Sequence, residues 1–202
     1  MSITIGVLAI QGDVHENVSA CRSALTESGI DGRVINVMTT DEISGIDGLV
    51  IPGGESTTIG QLLLANKSMS IVKERIQQGM PVLGICAGMI LLSNTVDDSV
   101  VGNTGQPLLG ILDMKIERNS FGRQGMSFET DISMNAIGIS KFNGVFIRAP
   151  SISTVTSEIK VLSKLGERIV AVKKDNVIGT AFHPELAGDI SLHKYFVSLA
   201  GA

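Results

Sequence analysis

Pro81-Val82-Leu83-Gly84-Ile85-Cys86-Ala87-Gly88-Met89-Ile90-Leu91-Leu92 carries no charged side chain and changes character in the middle. Pro81–Ile85 reads as a strand covered on both faces, and Ala87–Leu92 as a buried helix that begins with no loop between them. A strand feeding straight into a helix is the joint of a parallel sheet with helices packed against it. Upstream the same alternation repeats. Ile3–Ile10 is a continuous apolar run with β-branched residues, and Val14, Val18, Cys21 and Leu25 form a helical stripe that stops at Gly29. Arg33–Val37 and Gly48–Ile51 read as strands, and Thr57–Leu64 and Ser70–Gln78 as helices. This order predicts an α/β fold, a doubly wound, mostly parallel sheet with helices on both faces.

The C-terminal half has a different texture. From Leu108 onward, turn signals divide strand-like segments at Ile111–Glu117, Ser127–Ile132, Gly144–Arg148, Ile159–Leu165, Ile169–Lys173 and Val177–Phe182. Antiparallel strands are expected here, with Lys174-Asp175-Asn176 as the hairpin turn between the last two. A helix near Ile190–Leu199 closes the chain. Asp97–Gln106, rich in glycine and small polar residues, reads as the least regular stretch. With no repeat and no linker, residues 1–202 are expected to form a single domain.

Composition narrows the function. The 202 residues carry a net charge of -4, and 44% are apolar against 18% charged, too apolar for a disordered chain. No basic block invites nucleic acid or an anionic membrane. The first basic residue is Arg22, so the apolar start lacks the basic region of a signal peptide, and Gly79–Leu92 is too short to span a bilayer. A soluble, cytoplasmic protein is expected. Two cysteines exclude a disulfide framework, and with three histidines they leave little for a metal site, so neither metal nor cofactor is expected.

Few residues remain for chemistry. Gly84-Ile85-Cys86-Ala87-Gly88 is a G-x-C-x-G nucleophile elbow, in which small residues permit a sharp turn that pushes the thiol out at a helix N-terminus. A buried structural thiol is the plain alternative; Cys21, on an ordinary helical stripe, illustrates it. An unperturbed thiol is only about 3% ionised at pH 7, so a base is needed. His183 follows a strand and precedes Pro184-Glu185. In an extended chain His183 and Glu185 share a face, so the carboxylate can fix the imidazole tautomer. His15 and His193 sit in amphipathic helices without such a partner.

Pro52-Gly53-Gly54-Glu55-Ser56-Thr57 follows the third strand. It has no lysine for a phosphate, and Glu55 would repel one. Backbone N–H groups beside a carboxylate suit a zwitterion better, with the N–H groups facing an oxyanion and Glu55 an ammonium. A simple turn before a helix is the competing reading. Arg118, in Arg118-Asn119-Ser120-Phe121-Gly122-Arg123-Gln124, and Arg148, in Phe146-Ile147-Arg148-Ala149-Pro150, each offer a fork for a carboxylate.

Together these motifs resemble the class I glutamine amidotransferases. Val7–Gly12, Pro52–Thr57, Gly84–Gly88, Glu117–Gln124, Val145–Pro150 and Phe182–Leu186 are similar, in the family's order and over nearly the whole chain, to the glutaminase subunits of pyridoxal 5′-phosphate synthase. The resemblance implies Cys86 as nucleophile, His183 as base and Glu185 as its orienting carboxylate. It implies glutamine contacts from Gly54, Glu55, Ser56, Arg118, Ile147 and Arg148. It also implies L-glutamine as substrate and a (β/α)₈-barrel synthase subunit as partner, receiving ammonia. Glu16-Asn17 and Ala187 depart from the family's usual Glu-His and threonine. The rivals are a glutaminase serving another synthase, a non-catalytic glutamine-sensing subunit, and a redox or chaperone protein with a cysteine elbow.

Overall fold

Four apolar runs without a polar face, Ile3–Leu8, Gly48–Ile51, Val82–Ile85 and Val177–Thr180, lie side by side with every residue buried. The computed structural model describes residues 2–98, 102–121 and 127–201, with the backbone alone at Asn103. In its first half the chain runs β1 (Ile3–Leu8), α1 (Val14–Ser28), β2 (Gly32–Val37), α2 (Thr40–Ser44), β3 (Gly48–Ile51), α3 (Ser56–Ala65), α4 (Ser68–Gln77), β4 (Val82–Ile85) and α5 (Ala87–Leu92). The second half runs β5 (Ser93–Asp98), β6 (Gly102–Asn103), β7 (Leu112–Arg118), β8 (Ser127–Met134), β9 (Ile139–Ile147), β10 (Ser151–Val155), β11 (Lys160–Leu165), β12 (Arg168–Lys174), β13 (Val177–Thr180) and α6 (Ser191–Ala200). Two 3₁₀ turns, Asn135–Ile137 and Pro184–Leu186, complete the order.

Among the described residues eleven strands form one sheet, in the order β2-β1-β3-β4-β13-β12-β10-β7-β5-β6, with β11 also paired to β12. The five from β2 to β13 are parallel; from β13 to β7 the pairs are antiparallel, as the change of texture predicts, and β5 then joins β7 in parallel. The chain steps from β1 to β2 in one direction, then back over β1 to β3 and on to β4 in the other. Right-handed crossovers therefore send α1 and α2–α4 to opposite faces. Strand order reverses at β1, which opens a crevice at the carboxyl ends of β1 and β3. β8 and β9 make a separate two-stranded sheet.

Several boundaries differ from expectation. The last parallel strand ends at Thr180, not Phe182; the Thr180 hydroxyl donates to the Phe182 carbonyl at 3.0 Å and turns the chain. The strand expected at Gly144–Arg148 begins at Ile139 and stops at Ile147. β5, β10 and α2 were not anticipated. β5 has the polar sequence Ser-Asn-Thr-Val-Asp-Asp and is held by parallel pairing to β7 rather than by its own pattern. α2 is short but closed by a capping box between Thr39 and Glu42. In the stretch expected to be irregular, Asp97–Gln106, Asp97 and Asp98 belong to β5 and Gly102–Asn103 to β6, residues 104–106 have no regular structure, and residues 99–101 lie outside the described residues. No described helix is long and apolar enough to cross a membrane.

Two residues read as structural are deeply buried. The Cys21 thiol is pushed up to about 12 by burial. His193, on α6, is 0% exposed, neither ring nitrogen has a hydrogen-bond partner among the described residues, and burial pulls its pKa down to about 4. A histidine held neutral in the fold binds its proton more readily when unfolded, so the protein loses stability as pH falls from about 6.5 towards 4. Chemical denaturation is expected to show about 2 kcal/mol less stability at pH 5 than at pH 7 from this residue. His193→Leu should remove that part of the pH dependence; an unchanged slope would show that His193 does not titrate in this way.

Candidate active site

Cys86 stands where β4 becomes α5, with φ 49° and ψ −98°, a conformation that side-chain-bearing residues avoid. Its amide donates to the Thr180 carbonyl at 2.7 Å, which ties the elbow to the end of β13. The helix can start this abruptly because residue 88 is glycine. A Cβ there would lie 2.1 Å from the Ile51 carbonyl oxygen, so α5 rests its first turn directly on the end of β3. The thiol is 8% exposed and lines the crevice.

His183 reaches the same crevice from the end of β13, fixed by its own amide, which donates to the Val145 carbonyl at 2.8 Å. Its Nδ1 lies 2.8 Å from Glu185 Oε1. The pairing arises differently from the extended spacing expected. His183 precedes the 3₁₀ turn Pro184–Leu186, and Glu185 folds back to it across that turn. The Glu185 side chain is 0% exposed and sits behind the ring, outside the crevice. A second carboxylate, Asp13 Oδ2, stands 3.3 Å from the same Nδ1. Burial by itself pushes the imidazole pKa down. Hydrogen bonds with Asp13, Cys86 and Glu185, and Coulomb attraction to Cys86, outweigh it and carry the pKa up to about 12.

The loop after β3 supplies the opposite wall. Glu55 caps α3 by accepting from the Thr58 amide at 2.7 Å, while its other oxygen meets Arg118 Nη2 at 3.0 Å. Burial raises the Glu55 pKa, but the amides of Thr58 and Thr57 and the Arg118 charge bring it below the usual carboxylate range. Arg118, at the end of β7, is steadied by Thr57 Oγ1 at 3.2 Å and Gln106 Oε1 at 3.4 Å. The groups expected to meet an ammonium and a carboxylate thus neutralise each other across the crevice. A zwitterionic ligand can replace both halves of that pair.

Ile147 and Arg148 enter from the end of β9, where Arg148 turns the chain with φ 44°. Their strand is anchored by phenylalanines. Phe146 stacks on Phe128 at 4.8 Å between centroids and meets Phe182, the neighbour of His183, at 5.7 Å.

Cys86, His183, Gly54, Glu55, Ser56, Arg118, Ile147 and Arg148 all line one cavity of about 370 Å³, at the carboxyl ends of the parallel strands. Of the Arg118–Gln124 motif, Gly122, Arg123 and Gln124 lie outside the described residues. Gln11, Gly12 and Asp13, after β1, also line the cavity; Gln11 and Gly12 belong to the Val7–Gly12 block but were given no role from the sequence, and Asp13 was not singled out. Gln11 Oε1 accepts from the Glu55 amide at 2.8 Å, and the Asp13 amide donates to the Gly53 carbonyl at 3.1 Å. Their position between an apolar strand and a helix was the available signal. Asn17 proves buried, with its side-chain amide donating to the Asp13 carbonyl at 2.8 Å.

Residues 7–200 match the model of the SNO glutamine amidotransferase family. The chain belongs to that family. It is 60% identical over 199 residues to a pyridoxal 5′-phosphate synthase subunit PdxT of Nitrosopumilus maritimus, covering 98% of this chain and 97% of that protein. With the protein of the same description from Methanococcoides burtonii it shares 45% identity over 96% of each. A crystal structure of a glutamine amidotransferase superposes with a TM-score of 0.85 at 41% identity, over 98% of this chain and 99% of that one.

The amidotransferase crevice leaves no room at residue 53. A Cβ on Gly53 would stand 2.4 Å from His183 Cε1 and 2.9 Å from Asp13 Oδ2. Gly53→Ala is expected to displace the imidazole and cut glutamine turnover by about 100-fold. The check is glutamate release beside a thermal melt. Full activity would mean that His183 need not hold this place.

Proposed function

We propose that residues 1–202 act as one glutaminase domain, hydrolysing L-glutamine to L-glutamate and ammonia through a thioester on Cys86. The carrying observation is the cavity that joins a thiol at a strained elbow, an imidazole backed by carboxylates, and an Arg118–Glu55 pair suited to an amino acid's two charges. Glutamine binds with its α-ammonium on Glu55 and its α-carboxylate on Arg118, while Gly54, Ser56, Ile147 and Arg148 complete the walls. The side-chain amide then points at the thiol.

His183 takes up the proton of the Cys86 thiol, a role supported by the upward shift of the imidazole. The sulfur attacks the amide carbon, and the charge moves to the carbonyl oxygen. The Ala87 amide, at the start of α5, and the Gly53-Gly54 loop supply donors for it. One such donor contributes about 3–4 kcal/mol to the transition state. His183 passes its proton to the departing nitrogen, leaving a thioester and ammonia. The neutral imidazole then takes a proton from water, which attacks the thioester and releases glutamate. Glu185 keeps Nδ1 protonated, so the other ring nitrogen does the transfer.

The ammonia is delivered to a (β/α)₈-barrel synthase subunit that makes pyridoxal 5′-phosphate; the descriptions of the two PdxT relatives support this destination. The setting is cytoplasmic, where two unpaired cysteines stay reduced.

Glutamate release is expected with the barrel subunit present and absent with Cys86→Ala. No glutamate from a demonstrably formed complex would sink the enzymatic reading, and stimulation only by an unrelated synthase would redirect the ammonia. Arg118→Ala should raise the KM for glutamine at least tenfold with little change in melting temperature. An unchanged KM would remove Arg118 from the substrate site.

A further inference from the structure

Asp13 occupies the N-cap of α1, the position where an aspartate most commonly accepts hydrogen bonds from the first helical amides. Here its side chain makes no capping bond. The carboxylate is turned the other way, with Oδ2 3.3 Å from His183 Nδ1. The backbone holds it there from both sides. Its amide donates to the Gly53 carbonyl at 3.1 Å, and its carbonyl accepts from the buried Asn17 side chain at 2.8 Å. Asn17 thus substitutes a local tether for the missing cap and leaves the carboxylate free to face the imidazole. Gly53, which tolerates no Cβ between Asp13 and His183, keeps the path open.

We propose that Asp13 is a second carboxylate for His183, a positioning residue that faces Nδ1 together with Glu185 and holds the imidazolium beside the Cys86 thiolate. The proposal rests on the thiol–imidazole reading above. Glu185 at 2.8 Å is the hydrogen-bond partner of Nδ1, and Asp13 at 3.3 Å stands as an ion-pair partner of the same nitrogen. The two carboxylates differ in setting. Glu185 is fully buried, whereas Asp13 is 41% exposed and faces the cavity. Glu185 therefore sets the ring's orientation from behind, and Asp13 adds negative charge from the cavity side. The other charged groups on the cavity are Glu55, Arg118 and Arg148, and the first two are engaged with each other. Asp13 also heads the groups whose hydrogen bonds raise the imidazole pKa.

The same three side chains could be taken for a metal site, since ligand-type atoms of Asp13, His183 and Glu185 lie within 4.8 Å of one another. The short hydrogen bond argues against it. Two ligands about 2.1 Å from one tetrahedral ion stand about 3.4 Å apart, whereas Nδ1 and Oε1 are at hydrogen-bond distance, 2.8 Å.

Asp13→Asn tests the role, because asparagine keeps the shape and the capping ability while removing the charge. Asp13→Ser serves as a second variant, uncharged and equally suited to a helix N-terminus. The direct readout is the rate at which iodoacetamide alkylates Cys86 in the isolated chain from pH 4 to 11, with Cys86→Ala as blank. Without the second carboxylate the imidazolium gives up its proton at lower pH. Both variants should therefore move the alkaline limb, where the imidazolium is lost, downward by about one pH unit. A profile superimposed on the parent's, in a variant that melts normally, would overturn the proposal. So would a parent profile that changes on dialysis against EDTA, which would favour a metal at these residues. Glutamate release in the complex with the barrel subunit should fall in kcat with KM kept. If the alkylation limb moves but the parent never releases glutamate, the glutaminase reading fails and Asp13 keeps its role; active parent with an unmoved limb sinks Asp13 alone.

Discussion

The first turn of α5 rests on the carbonyl of Ile51, and this contact between two backbones places everything else in the crevice. No side chain separates them at residue 88, so the helix begins at the very end of β4 and its N-terminus lies against β3. The chain can only enter such a helix through a strained residue, and Cys86 is that residue. Its strain is held by the sheet: the Cys86 amide is bonded to Thr180, on the neighbouring strand β13. Since β13 also leads to His183, the bond that stabilises the elbow sets the height of the imidazole relative to the thiol. The rigidity of four fully buried parallel strands is thereby transmitted to the thiol and the imidazole that line the crevice.

Around that frame the charges are arranged in pairs rather than dispersed. On one side a single imidazole lies between two carboxylates and a thiol, buried enough that each interaction counts for more than it would in water. On the other side Glu55 and Arg118 satisfy each other while also being tied to α3 and to Gln106. The crevice presents both signs of charge, at the switch point where a doubly wound sheet opens. The third wall comes from outside the parallel sheet. Five of the six phenylalanines, Phe121, Phe128, Phe142, Phe146 and Phe182, meet in one cluster that fastens the β8–β9 sheet to the segment before His183. In a chain with so few aromatic residues, most of them serve to hold that wall.

What could be read without coordinates follows from how local the physics is. The apolar runs of β1, β3 and β4 need cover on both faces wherever they lie, so their period alone marks them as central strands. The elbow is legible because glycines at fixed spacing around a cysteine are a local steric requirement. His183 and Glu185 were paired on an extended geometry, and they meet instead across a 3₁₀ turn. Two residues apart, the chain brings them together either way. β5 was hidden because its polar residues carry little strand signal; hydrogen bonds from β7 make it a strand. Asp13 was hidden for a similar reason. Next to a helical stripe it reads as an ordinary cap, and only the position of His183, 170 residues later, shows that its carboxylate is used elsewhere.

The doubly wound architecture, and the choice of Cys86 and His183 as candidate thiol and imidazole apart from Cys21 and His193, are legible in the chain's own pattern. Each depends on periodicity or on neighbours a few residues away. The tertiary structure decided how Arg118 engages Glu55, that a second carboxylate faces the imidazole, and how β9 closes the crevice. Those are contacts between segments far apart in the chain, set by the register of strands and the closeness of backbones. A few ångströms decide whether two charges meet, and only the packed sheet fixes distances that finely.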